Sequence, residues 1–355
     1  MLNYIAPQRD LKFVMQELLN CEQHYENLSY GDASIDMLDA ILLEAGKFSE
    51  QVLAPLNQSG DAEGCTWDNG KVTTPKGFKV AYNQFVEDGW PTLSQSLEFG
   101  GQGLPASLSF VISEMLSSTN QSFSMYQGLG HGALATIENH GTELQKQKYM
   151  PNLVSGKWSG TMCLTESHCG SDLGLLRTKA ELNSDFSYSL TGTKIFISAG
   201  EHDLTDNIIH MVIARIEGAP AGSKGISLFI VPKININDDG TLGENNSVSC
   251  GSIEHKMGIN ANATCVMNFE GAKGFLIGSE NRGLNSMFTF INNSRIAVAY
   301  QGVAAAESSF QGSLSYAKER LQMRSLTGVK NPNGAADPII VHPDVRRMLL
   351  TQKSI

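Results

Sequence analysis

What the 355-residue chain lacks narrows its function before any motif is read. No apolar run approaches the roughly 20 residues of a membrane-crossing helix; the longest, such as Ile226 to Val231, have the length of a strand. The start, Met1-Leu2-Asn3-Tyr4-Ile5-Ala6-Pro7, has no basic stretch followed by an apolar one, so no signal peptide is expected and a cytoplasmic location is. Positive charge is scarce: 26 Lys and Arg face 36 Asp and Glu, a net charge of −10. No local basic stripe offsets that balance, which argues against nucleic acid as a partner. The six cysteines (Cys21, Cys65, Cys163, Cys169, Cys250, Cys265) form no CxxC and no Cys/His cluster. Free thiols in a reducing compartment, and no metal, are therefore expected. A dinucleotide fingerprint is also missing. Gly100-Gly101-Gln102-Gly103 does not make G-x-G-x-x-G and follows no strand, which excludes an NAD-linked Rossmann enzyme.

What is present is a hydrophobic content of 41%, enough for ordinary cores, in the order helical, β, helical. Leu38, Leu42, Ala45, Phe48 and Val52 recur at helical spacing from Asp36 to Val52, and Pro55 is expected to end that helix. Residues 56 to 76, rich in Gly, Asp and Asn, read as a loop. Phe78, Tyr82, Phe85 and Val86 mark a further helix, Leu108, Val111, Ile112 and Met115 another, and Leu144 to Leu153 a last one capped by Thr142. Near Lys157 the rhythm changes. Trp158 to Thr165, Tyr188 to Ile197, Ile208 to Ala214 and Ile226 to Val231 are short β-branched or aromatic segments separated by turn residues, with no sign of βαβ crossovers. From Gly283 to Arg320 the chain is helical and rich in alanine; a Gly/Pro/Asn linker (328–338) and a short helix from Asp344 follow. That last helix carries Val345, Met348, Leu349 and Leu350 with nothing after Ile355 to cover them. The expectation is an α+β chain cut short at its C-terminus.

Four segments carry chemistry. Gly160 to Asp172 is a strand leading into a turn whose NH groups and hydroxyls (Thr165, Ser171) suit phosphate or a heteroaromatic edge, and equally an ordinary polar turn. Thr191 to Gly200 is a strand ending in an aromatic and a hydroxyl; Phe196 suits a planar cofactor or a barrel core. Glu254 to Asn262 is a connecting loop with one cation, Lys256. Tyr316 to Arg324 closes a helix with cations that complement its dipole.

Taken together, Leu164-Thr165-Glu166 with Gly170-Ser171-Asp172, then Gly192 to Ser198, then Tyr316 to Gln322, are similar in order and spacing to the acyl-CoA dehydrogenase family. The resemblance runs from about Asp36 onward. Gly160 to Glu166, Ser198 to Asp203 and Glu254 to Gly258 resemble its 3-methylmercaptopropionyl-CoA dehydrogenase-like subgroup. The resemblance implies an N-terminal extension (1–35), a helical domain (36–156), a central antiparallel β-barrel-like domain (157–275) and the start of a C-terminal helical bundle (276–355).

It also implies FAD as cofactor, an acyl-CoA substrate, 3-methylmercaptopropionyl-CoA among the candidates, an electron-transfer flavoprotein as partner, and a homodimer or homotetramer. By matching position, Met162, Cys163, Leu164, Thr165, Gly170 and Ser171 lie along the flavin, and Phe196, Ile197 and Ser198 cover it. Arg320 and Gln322 reach the FAD of a neighbouring subunit. Ser171, Asn292 and Arg295 lie near the acyl-CoA. Family members commonly have a Trp where Phe196 stands and usually an acidic residue where Asn292 stands. The reaction needs a water-shielded glutamate as base; most relatives carry it later in the bundle, a minority at the position of Ser294. Serine cannot serve, so no catalytic base is expected in this chain. Glu166 is expected to be structural, and Glu307 and Glu319 solvated. An acyl-CoA oxidase and a non-catalytic acyl-CoA or flavin binding fragment stand as alternatives.

Overall fold

The computed structural model describes residues 4–30 and 33–354. Met1–Asn3, and with them part of the start on which the signal-peptide reading rests, lie outside the described residues, as does Ile355. The first helices are α1 (Gln8–Lys12), which runs on into a π-helical turn at Phe13–Leu18, then α2 (Cys21–Asn27) and α3 (Ile35–Phe48). Ser34 starts α3 by accepting a hydrogen bond from the Met37 NH.

Pro55 does not end this helix. A π-helical turn, Ser49–Leu53, leads straight into α4 (Ala54–Glu63) with Pro55 in its first turn, where its missing NH removes no needed bond. The first eight residues of the expected loop are thus helix. A hairpin follows, β1 (Thr66–Asp68) and β2 (Lys71–Thr73), turning at Asn69-Gly70 with φ of 47° and 83°. Helix α4 hides in the sequence because its contact is small: Gly60 lies against Phe78 and Ala261 instead of offering an apolar side chain.

Helices α5 (Phe78–Glu87), α6 (Ala106–Thr119), α7 (Gln121–His140) and α8 (Glu143–Val154) complete the helical part. Thr142 and Gln145 form a reciprocal cap on α8. The core is aromatic, with Phe48, Phe85 and Phe123 rings 5.8–6.4 Å apart and Leu108, Ile112 and Met115 buried beside them.

Strands β3 (Trp158–Cys163), β4 (Lys179–Leu182), β5 (Tyr188–Ser198), β6 (Asn207–Ile216), β7 (Ile226–Pro232), β8 (Ile234–Ile236), β9 (Leu242–Asn245), β10 (Val248–Ile253) and β11 (Thr264–Ile277) follow. The pairings β11–β5, β5–β4, β4–β6, β6–β7 and β7–β11 close a five-stranded ring. Neighbouring strands cannot alternate in direction all the way round an odd-numbered ring, and the parallel pair is β4–β6. Strand β3 adds to the outside of β6, also parallel. The expectation of an antiparallel barrel-like domain therefore holds for the closure, and is corrected at these two ladders.

Helix α9 (Gly283–Glu319) has 37 residues, about 55 Å at 1.5 Å per residue. A loop returns the chain to α10 (Pro343–Ser354), which packs on α9. Glu307 is not solvated as expected. Its side chain is only 15% exposed, 3.7 Å from the Lys353 ammonium. Helix α7 lies between β3 and α9. It comes this close because Gly160 and Gly132 have no Cβ to run into Ala133 and Phe290 respectively. No described helix is long and apolar enough to cross a membrane.

Candidate flavin and acyl site

The end of β3, a bulge in β5 and the middle of α9 define the site. After Cys163 the chain turns through Leu164 and Thr165 into a tight reversal closed by two backbone bonds between Glu166 and Cys169 (2.8 and 3.0 Å). This turn is held from beneath. The Glu166 carboxylate is buried and accepts from the Thr178 NH (3.0 Å), the Thr178 hydroxyl (2.6 Å), the Arg177 NH (2.8 Å) and the Lys194 ammonium (2.8 Å). Lys194, fully buried on β5, also donates to the Leu164 carbonyl (3.0 Å). The Ile195 NH donates to the Thr165 carbonyl (2.9 Å). Two motifs that the sequence separates by some thirty residues are thus one unit.

Burial pushes the Glu166 carboxyl up, but Lys194 and the hydrogen bonds outweigh it and hold it at about 2. Burial alone draws Lys194 down, and Glu166 opposes it. The carboxylate is ionised at neutral pH. Glu166, His168 and Cys169 bring ligand-type atoms within 4.8 Å of one another, but both Glu166 oxygens are already engaged.

Strand β5 bulges where Cys265 and Met267 of β11 face Ile197 and Lys194, so that Ile195 and Phe196 together oppose Val266. Phe196 takes the left-handed conformation, φ 60°, which costs a non-glycine residue roughly 1–2 kcal/mol, and its ring is 58% exposed. The backbone is therefore strained and a large aromatic face is open to solvent. The Thr165 hydroxyl and the exposed Ser171 hydroxyl have no hydrogen-bond partner among the described residues, and Ser198, which follows the bulge, is half-buried. Cys163 and Ile197 turn their side chains into the core, so only their backbone can face a ligand. Burial pushes the Cys163 thiol up to about 12, which makes it inert at neutral pH.

Beside β3 opens a cavity of about 490 Å³ between α6, α7 and α9, with Met162 at its β-strand end. Phe110, Met125, Leu129 and Val298 give it apolar walls. Ser294 lines it as well, its hydroxyl donating to the Phe290 carbonyl (3.1 Å). The sequence reading missed most of this wall, because α6 and α7 contribute polar and small residues at irregular spacing.

Asn292 and Arg295 do not line the cavity. They are exposed on α9, with Arg295 donating to Asn292 (3.0 Å) and lying 5.7 Å from the Phe288 ring centroid. Arg320 and Gln322 are not brought to it either. They lie exposed on the segment after α9, Arg320 being 26 residues, about 39 Å of helix, from Ser294. That segment is shaped by the buried Asp337. Its carboxylate accepts from the NH groups of Ser325 (2.8 Å), Lys330 (3.0 Å) and Asn331 (2.7 Å) and from Arg324 (3.3 Å). The Ser325 NH first, with the other donors, holds it at about 2. Replacing Asp337 by Ala is expected to free these three amides, seen as faster hydrogen exchange at 325, 330 and 331 with α8 unchanged. Unaltered protection there would deny the carboxylate its role.

The family description "Acyl-CoA dehydrogenase, N-terminal domain" matches residues 36–157 and "Acyl-CoA dehydrogenase, middle domain" matches residues 161–272. The chain belongs to the acyl-CoA dehydrogenase family. It is 43% identical, over 100% of its length, to a 3-methylmercaptopropionyl-CoA dehydrogenase of Ruegeria pomeroyi, and 36% identical, over 99%, to a butyryl-CoA dehydrogenase of Syntrophomonas wolfei. It spans 60% and 59% of those two proteins. Among solved structures, butyryl-CoA dehydrogenase from Megasphaera elsdenii superposes with a TM-score of 0.71 at 25% identity, covering 90% of this chain and 76% of that one. A chain in the structure of the electron transferring flavoprotein of Acidaminococcus fermentans does so with 0.72 at 26%, covering 90% and 74%.

Proposed function

We propose that this acyl-CoA dehydrogenase family chain forms the flavin- and acyl-binding part of an FAD-dependent enzyme that removes two hydrogens from Cα and Cβ of an acyl-CoA thioester. The observation that carries the reading is an apolar cavity that reaches Met162, on the strand whose end turn is bonded through Thr165 to the bulged strand bearing the exposed Phe196. The residues present fit a flavin: Phe196 offers a face for stacking, Thr165 and Ser198 offer hydroxyls to a polar ring edge, and Leu164 and Ile197 offer backbone. When bound, the flavin supplies a hydride acceptor. The chain's own part is to hold the acyl group against Met162 and to keep water from the reacting carbons through the walls of α6, α7 and α9.

The α-proton needs a base, and Ser294 is not one. The single carboxylate among the cavity's described lining, Glu138, is exposed to water, and so is not the shielded group such abstraction requires. We place the base in the part of its relatives' length that this chain does not span. Arg320 and Gln322, beyond the far end of α9 and about 28 Å along it from the last cavity residue, Gln301, suit the flavin of a second copy, where the Arg fork can pair with a pyrophosphate. The substrate is read as a short acyl-CoA, 3-methylmercaptopropionyl-CoA among the candidates, and the electron acceptor as an electron-transfer flavoprotein. The likeness to the Ruegeria, Syntrophomonas and Acidaminococcus proteins supports these choices.

Anaerobic titration tests the reading. The FAD-loaded chain is expected to shift its flavin spectrum on adding butanoyl-CoA or 3-methylmercaptopropionyl-CoA without bleaching, whereas a protein extended to its relatives' length bleaches. Bleaching by the chain alone would overturn the missing base, and failure to take up FAD would overturn the flavin assignment. Rapid reoxidation of the extended protein by air would favour the oxidase instead.

A further inference from the structure

A stacked aromatic pair joins α6 to α9 beside the acyl cavity. The Phe110 and Tyr300 rings lie 5.2 Å apart, centre to centre, with an interplanar angle of 7°. Both residues are half-buried. Phe110 lines the cavity and Tyr300 does not, so Tyr300 backs the ring from outside. The rest of the α6 lining is Ala106, Ser109, Ser113 and Ser117. Small side chains make the hollow along this helix, and Phe110 is the bulky one among them.

The pair stands at the end of the cavity remote from β3. Helix α9 starts against the sheet, with Gly283 close on the backbone of Ser227 and Leu228 in β7, so residue numbers rising along it lead away from the strands. Its cavity-lining residues run from Asn293 to Gln301, and Tyr300 is level with the last of them. Ser294 lies six residues earlier, about 9 Å nearer the sheet. Just past the pair the two helices touch: the Ser118 hydroxyl donates to the Ala304 carbonyl (3.2 Å), and Ala304 is fully buried.

A ring held in this way does not yield cheaply, because swinging Phe110 aside forfeits its stacking on Tyr300. An acyl chain gains about fourfold in affinity for each methylene it buries, the equivalent of about 0.8 kcal/mol, until its end meets that ring. We infer, building on the acyl-CoA reading, that Phe110 is a specificity-determining residue and Tyr300 the residue that positions it. The stacked pair is the stop of the acyl cavity, so the chain takes short straight acyl groups and turns away long ones.

Calorimetric titration of the FAD-loaded chain with butanoyl-, hexanoyl-, octanoyl- and decanoyl-CoA tests this. Affinity is expected to rise about fourfold per methylene at first and to be no higher for decanoyl- than for octanoyl-CoA. In Phe110→Ala the rise is expected to continue, so that the decanoyl-to-butanoyl affinity ratio grows at least tenfold over that of the unaltered chain. Tyr300→Ala leaves every lining residue in place and is expected to raise the same ratio by a smaller factor; Tyr300→Phe, which keeps the stack, is expected to restore the native profile. FAD uptake shows that each variant is folded, and Tyr300→Ala carries the test alone should Phe110→Ala fail to take up FAD. Affinity that climbs through decanoyl-CoA in the unaltered chain, or a length profile unchanged in the folded alanine variants, overturns the inference while leaving the acyl-CoA reading intact. No binding of any of the four thioesters overturns both.

Discussion

Replacing Lys194 by Met is expected to destabilise the chain by about 3–5 kcal/mol, the usual cost of leaving one partner of a buried ion pair alone. The side chain has no exposed surface, and the Glu166 carboxylate it meets is itself 4% exposed. Water therefore cannot take its place. Three donors remain on Glu166, from Arg177 and Thr178, which argues for the lower part of that range. The pH dependence separates this mechanism from a simple packing defect. In the native chain Glu166 is held at about 2 against an ordinary 4.5. The pair's contribution is thus complete above 4.5 and is lost only as pH falls through about 2. Without Lys194, its charge and hydrogen bond no longer oppose burial and the carboxyl moves up from about 2, so protonation at mild acidity relieves the variant. Urea denaturation at pH 7 and pH 4.5 should show the deficit shrinking at the lower pH. A deficit under about 1 kcal/mol, or one that stays constant with pH, would falsify this account of the pair. Because Lys194 also holds the Leu164 carbonyl, the variant is expected to take up FAD more weakly even when folded.

That result bears on how the site could be read at all. The motif around Lys194 was visible in the sequence as a string, and so was the one around Glu166. Their union was not, because the ion pair joins the turn after β3 to β5, two segments that only the folded chain brings together. The barrel itself was legible from short β-branched runs and turn residues. Its parallel ladders were not, since direction follows from the parity of the ring and leaves no local mark. Helix α4 was lost for a different reason: its contact is made by a glycine, and a pattern of apolar side chains cannot report a residue without one. Phe196 left two readings open, core or ligand face. The backbone decided between them, for a bulge with positive φ turns the ring outward where strict alternation would have carried it inward.

The outward turn of Phe196 leads to the second large effect, in which stability and binding move in opposite directions. Replacing Phe196 by Gly is expected to stabilise the empty chain by about 1 kcal/mol. The left-handed conformation costs Phe roughly 1–2 kcal/mol and Gly almost nothing, and glycine's greater freedom in the unfolded chain gives part of that gain back. Little burial is lost, because the ring is already 58% exposed. The same change removes the stacking face, and FAD affinity is expected to fall at least tenfold, an aromatic contact being worth about 0.5–1.5 kcal/mol beyond the area it covers. Phe196→Leu separates the two causes: it keeps the strain and some apolar cover, so it should lose stacking without gaining stability. Thermal melts of the apo chain and fluorescence titration with FAD would measure both. A glycine variant that melts lower than the native chain would show that the bulge is not strained. One that binds FAD as tightly as before would show that the exposed ring faces something other than a flavin.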